Sequence, residues 1–242
     1  MKKTFLLSCL MLAAMPVMAA YTGHVYVDKN KNGVFDQSEK PLAGIKVSDG
    51  LNVVETAADG SFTLPGHERE RFIFITTPSG YKTFNRHYHK IEKKQSGYDF
   101  GLIPYSGRIR KDGSHRYIHI TDTEIFNTEN HADWVNNVHD YARNEQAAFI
   151  IHTGDICYEK GLKAHIKLMN TENMDCPVFY CIGNHDLVKG KYGEELFESI
   201  YGPVYYSFDA GNVHYVVTPM PGGDHAPGYT SDDVCRWLKN DL

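Results

Sequence analysis

Cys181-Ile182-Gly183-Asn184-His185-Asp186 closes an apolar run, Val178-Phe179-Tyr180-Cys181-Ile182, that has the composition of a β-strand. The run ends at a glycine, and an amide, an imidazole and a carboxylate follow in consecutive positions. Strands that end in such a turn present their last side chains at a sheet edge, where open α/β folds place their sites. Nothing about core packing requires Asn, His and Asp together there.

Two earlier stretches repeat the arrangement. Tyr117-Ile118-His119-Ile120 leads into Thr121-Asp122-Thr123-Glu124, and Phe149-Ile150-Ile151-His152 leads into Thr153-Gly154-Asp155. Asp122, Asp155 and Asn184 stand 33 and 29 positions apart, close to the roughly 30-residue period of a βαβ unit. Parallel strands at that spacing bring all three to one edge of one sheet, and converging hard oxygen donors point to a divalent metal site. His119 and His152 lie inside the strand patterns and are expected to be packed, not ligating. His214 reads as a hairpin residue and His225 as a solvated loop residue.

The three clusters closely resemble the signatures of the calcineurin-like metallophosphoesterases: Asp-x-His, then Gly-Asp, then Gly-Asn-His followed by Asp or Glu. Gly154-Asp155 and Gly183-Asn184-His185-Asp186 match the second and third. The first is matched only at Asp122, because Glu124 stands where the family usually has a histidine ligand. The resemblance implies an α/β fold, an α-β-β-α sandwich of two sheets flanked by helices. It also implies a phosphate-ester substrate and two divalent ions (Mn, Fe, Zn or Mg). By the same resemblance Asp155 bridges both ions, Asp122 binds the first, and Asn184 binds the second through its amide oxygen. His185 contacts the phosphate or protonates the leaving oxygen, and Asp186 orients His185. Glu124 has two readings: it ligates the first ion and favours harder metals, or it turns away and leaves that position to water. Ligation is the reading adopted.

The 242 residues fit one large domain or two smaller ones. Net charge is −5 and no basic stripe is visible, which argues against a nucleic-acid partner. Residues 1–19 read as a secretory signal: Lys2-Lys3, an apolar stretch from Phe5 to Ala14, then Val17-Met18-Ala19. That stretch is short of the roughly 20 apolar residues a membrane span needs. A periplasmic or extracellular protein with no transmembrane segment after leader removal is therefore expected. Cys157, Cys176, Cys181 and Cys235 remain after the leader. Cys176 and Cys181 bracket one strand at odd spacing, so they should face opposite sides and stay unpaired.

Residues 20–105 read as a separate small β-sandwich. Asp28-Lys29-Asn30-Lys31-Asn32-Gly33, with Asp36 and Glu39, fits the calcium-loop pattern at every fixed position. Its oxygens would come from Asp28, Asn30, Asn32, Asp36 and Glu39, with the Val34 carbonyl. Its flanks are wrong for an EF-hand, since His24-Val25-Tyr26-Val27 is β-rich and Pro41 follows. Val53–Thr56, Ala58-Asp59-Gly60 and Ser61–Leu64 read as a hairpin with an Asp-Gly turn, and Arg71–Thr76 as a further strand. Ser79–Gln95 is assigned to loops. The region resembles the N-terminal domain of some bacterial calcineurin-like phosphoesterases and is similar to calcium-binding B-type repeats of adhesins. A structural calcium ion is what that likeness implies.

Residues 106–114 read as a linker and 115–242 as the phosphoesterase part. Asn130–Arg143 is helical, with Trp134, Val135, Val138 and Tyr141 on one stripe. Gly161–Asn173 gives a second helix that buries Leu162, Ile166 and Met169, and Gly193–Ile200 a third. Tyr205–Phe208 and Val213–Val217 form a hairpin. Ser231–Asp241 is a capped helix carrying Val234, Trp237 and Leu238 on one side. The family's C-terminal histidine motifs do not occur before Leu242, so the expectation is an N-terminal portion of a longer protein, inactive by itself. A second reading, from a different class, is an adhesin-like calcium module on a non-catalytic phosphoesterase fold. Glu124 and the missing histidines keep it open.

Overall fold

The computed structural model of the chain describes residues 20–242 apart from 107, 157, 189, 220, 221 and 224. The expected leader and Cys157 lie outside the described residues. In chain order the first half runs β1 (Tyr21–Val27), β2 (Lys40–Pro41), β3 (Lys46–Ser48), β4 (Val53–Glu55) and β5 (Ser61–Leu64). It continues with β6 (Phe72–Ile75), β7 (Tyr81–Thr83), β8 (Tyr88–Lys90) and β9 (Phe100–Pro104). One sheet has the order β2-β1-β9-β7, with β5 also paired to β1, and the other has the order β4-β3-β6-β8. Alternating side chains of the two inner faces meet in a core that includes Val25, Val47, Leu64, Ile73, Ile75 and Leu102, all fully buried.

Two sequence expectations change here. The Asp59-Gly60 turn is real, closed by the Ala57 N–H to Ser61 C=O bond at 2.8 Å, but it does not make a hairpin. β4 pairs with β3 and β5 pairs with β1, so the turn carries the chain from one sheet to the other. A single Asp-Gly signal fixes a reversal, not which strand lies alongside. The segment 79–95, expected to be loops, contributes β7 and β8 on opposite sheets. Its Lys, His and Arg residues mask short edge strands.

The second half runs β10 (Tyr117–Ile120), α1 (Ala132–Asn144), β11 (Phe149–His152), α2 (Glu159–Leu168), β12 (Val178–Tyr180) and α3 (Glu195–Tyr201). The hairpin β13 (Tyr206–Ala210) and β14 (Val213–Val217) follows, then α4 (Ser231–Asp241). Strands β10, β11 and β12 pair in parallel, with Ile120 opposite His152 and His152 opposite Tyr180. Period-two alternation divides their side chains. Ile150, Val178 and Tyr180 join Leu162 of α2 and Phe197 of α3 on one face. Phe149 and Phe179 join the hairpin on the other. Phe179 stacks on Phe208 with ring centroids 3.6 Å apart. The Tyr206 hydroxyl accepts the Tyr180 N–H at 2.8 Å and donates to the Tyr180 carbonyl at 2.9 Å. Cys176 and Cys181 fall in these two different cores and are free thiols, as their spacing required.

The buried stripe of α1 is Val135 and Ala142, with Val138 packed beside them. Trp134 and Tyr141 are exposed, at 40% and 60%. The expected stripe of four was too wide, because large aromatics were assigned inward by hydrophobicity alone. The second helix ends at Leu168, earlier than its pattern suggested, although Leu162 and Met169 are fully buried. A capping box between Thr230 and Asp233 starts α4, which delivers a fully buried Trp237 against Phe74 and Tyr205. Among the described residues no helix is long and apolar enough to cross a membrane.

The halves are joined by polar groups as well as by Trp237. Arg71, entering β6, bonds Glu194 at 3.0 Å and Glu198 at 2.7 Å. Asp241 of α4 accepts from Ser207 at 3.0 Å and from Thr76 at 3.3 Å. One guanidinium against two buried carboxylates leaves an excess of negative charge. Burial, opposed by Arg71, pushes the Glu198 carboxyl up to about 7. A carboxyl raised from 4.5 to that level contributes stability that is full below 4.5 and is lost as pH rises through about 7. The thermal midpoint should therefore fall between about pH 5 and pH 8 more steeply in the wild type than in Glu198→Gln. Calorimetry across that range checks it, and equal slopes would show that another group is responsible.

Candidate metal centre at the sheet edge

The first cluster leaves β10 through Thr121. The Asp122 N–H donates to the Gly154 carbonyl at 3.2 Å, and the Thr121 hydroxyl donates to Asp122 Oδ2 at 2.6 Å. The turn after β10 is thus pinned to the turn after β11. The turn after β11 is pinned in its turn to the one after β12. A Cβ placed on Gly154 would lie 2.5 Å from the Gly183 nitrogen, and one placed on Gly183 would lie 2.1 Å from the Asp155 nitrogen. Only two glycines let these backbones touch. The His185 N–H donates to Asp155 Oδ1 at 3.1 Å, which ties the two turns side chain to backbone.

Asp186 is fully buried, and its carboxylate bonds the same two turns. Oδ1 accepts the Ile156 N–H and Oδ2 accepts the Gly183 N–H, both at 2.9 Å. The sequence reading gave Asp186 only an orienting task toward His185. At Nδ1 of His185 the neighbour is the Tyr158 hydroxyl, at 2.9 Å. Tyr158 was missed. It is 51% exposed and precedes α2, and the only sequence signal for it is its place three residues beyond Asp155.

Asp122, Glu124 and Asp155 all have left-handed backbones, with φ of 52°, 43° and 49°. Non-glycine residues hold that conformation at a cost of order 1 kcal/mol or more, and such residues gather at functional sites. Asp122 and Glu124 are exposed and Asp155 is partly so. Among the described residues Glu124 and the Asn184 amide make no side-chain hydrogen bond, and neither do Asp122 Oδ1 and Asp155 Oδ2. A set of uncommitted carboxylate and amide oxygens at one strand edge suits a hard cation. The carboxylate oxygens of Asp122, Glu124 and Asp155 do not all fall within 4.8 Å of one another.

Behind this edge lie two histidines with different fates. His152 is buried as expected and its ordinary pKa is lowered to about 4 by burial. It therefore stays neutral. Its Nδ1 accepts the Gly154 N–H at 3.3 Å, so Nε2 carries the proton and donates to the Thr123 hydroxyl at 2.9 Å. His119, expected to be packed, is exposed instead and meets the Thr153 hydroxyl at 2.7 Å. β10 is an edge strand whose outer side is uncovered at His119, a feature the strand pattern by itself does not reveal.

One other group of metal-type donors is present. Asp49, His67 and Glu70 bring ligand atoms within 4.8 Å of one another. Their lone pairs are already used. Asp49 accepts from the Leu51 and Asn52 N–H groups and the Asn52 amide. Glu70 accepts from Tyr21 and the His67 N–H, and His67 Nε2 faces the Asp49 carbonyl while Nδ1 accepts from Arg69 N–H. That cluster reads as a hydrogen-bonded corner of the β-sandwich.

The sequence profile described as the N terminal of Calcineurin-like phosphoesterase matches residues 29–104. The profile described as Calcineurin-like phosphoesterase matches residues 115–236, just over half of the chain. Among curated proteins nothing matches the sequence. The β-rich first half, the parallel edge with its Asp, Gly-Asp and Gly-Asn-His-Asp turns, and the two profile matches agree. The chain belongs to the calcineurin-like phosphoesterase family, whose members are metal-dependent hydrolases of phosphate esters.

Proposed function

We propose that this protein is an exported phosphoesterase that hydrolyses a phosphomonoester or phosphodiester with a metal-activated water at a two-ion site. The observation that carries the reading is the backbone contact of Gly154 with Gly183, which places Asp155 beside Asn184 and His185. Asp155 would bridge the ions, Asp122 and Glu124 would hold the first, and the Asn184 amide oxygen would hold the second. The ions supply a low-pKa water and neutralise phosphoryl charge. The Tyr158 hydroxyl lies 2.9 Å from His185 Nδ1; in the protonated ring Nδ1 would donate to that hydroxyl and Nε2 would give its proton to the leaving oxygen. The buried Asp186 carboxylate holds the loop, and thereby the ring, in place.

A third ion, calcium, is proposed for the loop between β1 and β2. Asp28 and Glu39 are 1% and 7% exposed. Asp28 accepts the Asn32 and Gly33 N–H groups, and Asn30 and Asn32 both donate amide N–H groups to Asp36 Oδ2. Three carboxylates, two side-chain amides and the Val34 carbonyl are thereby drawn into one 12-residue loop. Calcium would exchange these internal bonds for metal–oxygen contacts. Export follows the leader read at residues 1–19.

Two experiments test these assignments. Asp155→Ala should lose metal, measured as bound metal per chain, while His185→Ala should keep it. The kcat of His185→Ala should fall about 10²- to 10⁴-fold on an alkyl ester and much less on a nitrophenyl ester, whose leaving oxygen needs no proton. Loss of metal from His185→Ala as complete as from Asp155→Ala would make His185 a ligand and overturn its role. For the loop, calcium at about 100 times its Kd adds about 2.7 kcal/mol, which raises the melting temperature by roughly 5–10 °C in a chain of this size. Asp28→Ala should lose that calcium response, and a chelator should leave its melting unchanged. An equal calcium response in wild type and variant would remove the calcium site.

A further inference from the structure

A cavity lies away from the metal edge. It has a volume of about 550 Å³ and lies between the 82–88 segment of the β-sandwich and the start of β12, at the opposite end of that strand from Gly183. Volumes of 300–1,000 Å³ are typical of small-molecule sites. Aromatic rings from both halves wall it, notably Tyr88 on one side and Tyr180 and Tyr201 on the other. Its floor includes His87, whose ring lies over Tyr206 at a centroid distance of 4.5 Å.

Its charged groups distinguish it from a packing defect. Burial lowers the His87 pKa to about 3, so the ring in the lining is neutral. Lys82 and Arg86 both line the cavity, and among the described residues neither is ion-paired. Lys82 sits over the Tyr105 ring and Arg86 over the Tyr88 ring. Arg86 also donates to the Tyr88 hydroxyl at 3.0 Å, which holds the guanidinium at the wall. One carboxylate, Glu172, is also in the lining. The balance is cationic and the walls are aromatic.

We propose that this cavity is a second ligand site, separate from the metal edge, for a small organic anion that carries a planar ring. The anionic group lies between Lys82 and Arg86, and the ring lies against Tyr88 and Tyr201. The anion can be a carboxylate or a phosphate, since both cations accept either. Because both halves of the chain line the cavity, its ligand also bridges them.

Fluorescence of 8-anilino-1-naphthalenesulfonate, with the metal-loaded folded protein, tests the site. Saturable one-to-one binding is expected. Displacement by 1-naphthoate or the non-hydrolysable 1-naphthylphosphonate should be at least tenfold more effective than by 1-naphthol or inorganic phosphate, and the ratio of the first two identifies the preferred anion. Arg86→Gln and Lys82→Gln should each weaken binding of the anions about tenfold and leave 1-naphthol unchanged. Asp155→Ala should change nothing, because the metal edge is a different place. Absence of saturable binding, equal displacement by inorganic phosphate, full affinity in both cation variants, or loss of binding in Asp155→Ala would overturn the proposal. Lys82 is partly exposed and Arg86 exposed, so both variants should fold, and an unchanged melting temperature verifies it.

Discussion

The contact of Gly154 with Gly183 is the constraint on which the metal edge depends. Two strand-to-helix turns meet backbone to backbone, closer than any side chain allows. Once they touch, Asp155 has no choice but to lie under the His185 N–H, and the Asp186 carboxylate fits between the Ile156 and Gly183 N–H groups. Hydrogen bonds that a buried carboxylate accepts from backbone N–H groups are among the stronger ones, about 1.5–3 kcal/mol net each. The edge is therefore organised by its backbone first. The turns that carry Asp155 and Asn184 are thereby fixed relative to each other.

The same edge explains why the N-terminal half is attached where it is. β13 stacks Phe208 on Phe179, one residue type and one strand away from the turn that carries Asn184. β13 is itself held to the β-sandwich, since the Asp209 N–H donates to the Thr77 carbonyl at 2.8 Å and Thr76 meets Ser207. Trp237 covers the junction from outside. Packing of β12 against β13 thus reaches the first half through continuous, fully buried groups, whereas surface ion pairs such as Arg116 with Glu145 contribute little. The β-sandwich is part of the scaffold that supports the rear of the parallel sheet.

How much of this was legible in the sequence depends on the range of the interaction. The parallel strands and the one-edge convergence of Asp122, Asp155 and Asn184 follow from local composition and a repeat near 30 residues, and the fold has them. The capped final helix with its buried Trp237 was likewise written locally. What was illegible is non-local. Asp59-Gly60 shows a reversal but not that β4 and β5 belong to different sheets. His119 and His152 have the same strand context, yet one lies on the uncovered side of an edge strand and the other in the core. Tyr158 reaches His185 only because two turns 27 residues apart are adjacent in space. The size of the rear cavity depends on how two separate halves fail to fill the space between them.

Backbone strain adds a last step to the account of the metal edge. Asp122, Glu124 and Asp155 hold left-handed conformations that Asn or Gly would adopt more easily. If each turn needed only its shape, glycine would serve at lower cost. Retaining acidic side chains at three such positions makes sense when the carboxylate itself is required and its direction is fixed by the strained backbone. Glu124 is the instructive case. It is longer than Asp and replaces a neutral nitrogen donor with a charged oxygen, so any ion it holds is drawn toward the hard end of the divalent series. Were Asp122, Glu124 and Asp155 to hold the first ion as proposed, the donors they give it would all be oxygens. Such a set would suit Mn²⁺ or Mg²⁺ better than Zn²⁺, whose tighter sites use imidazole and thiolate.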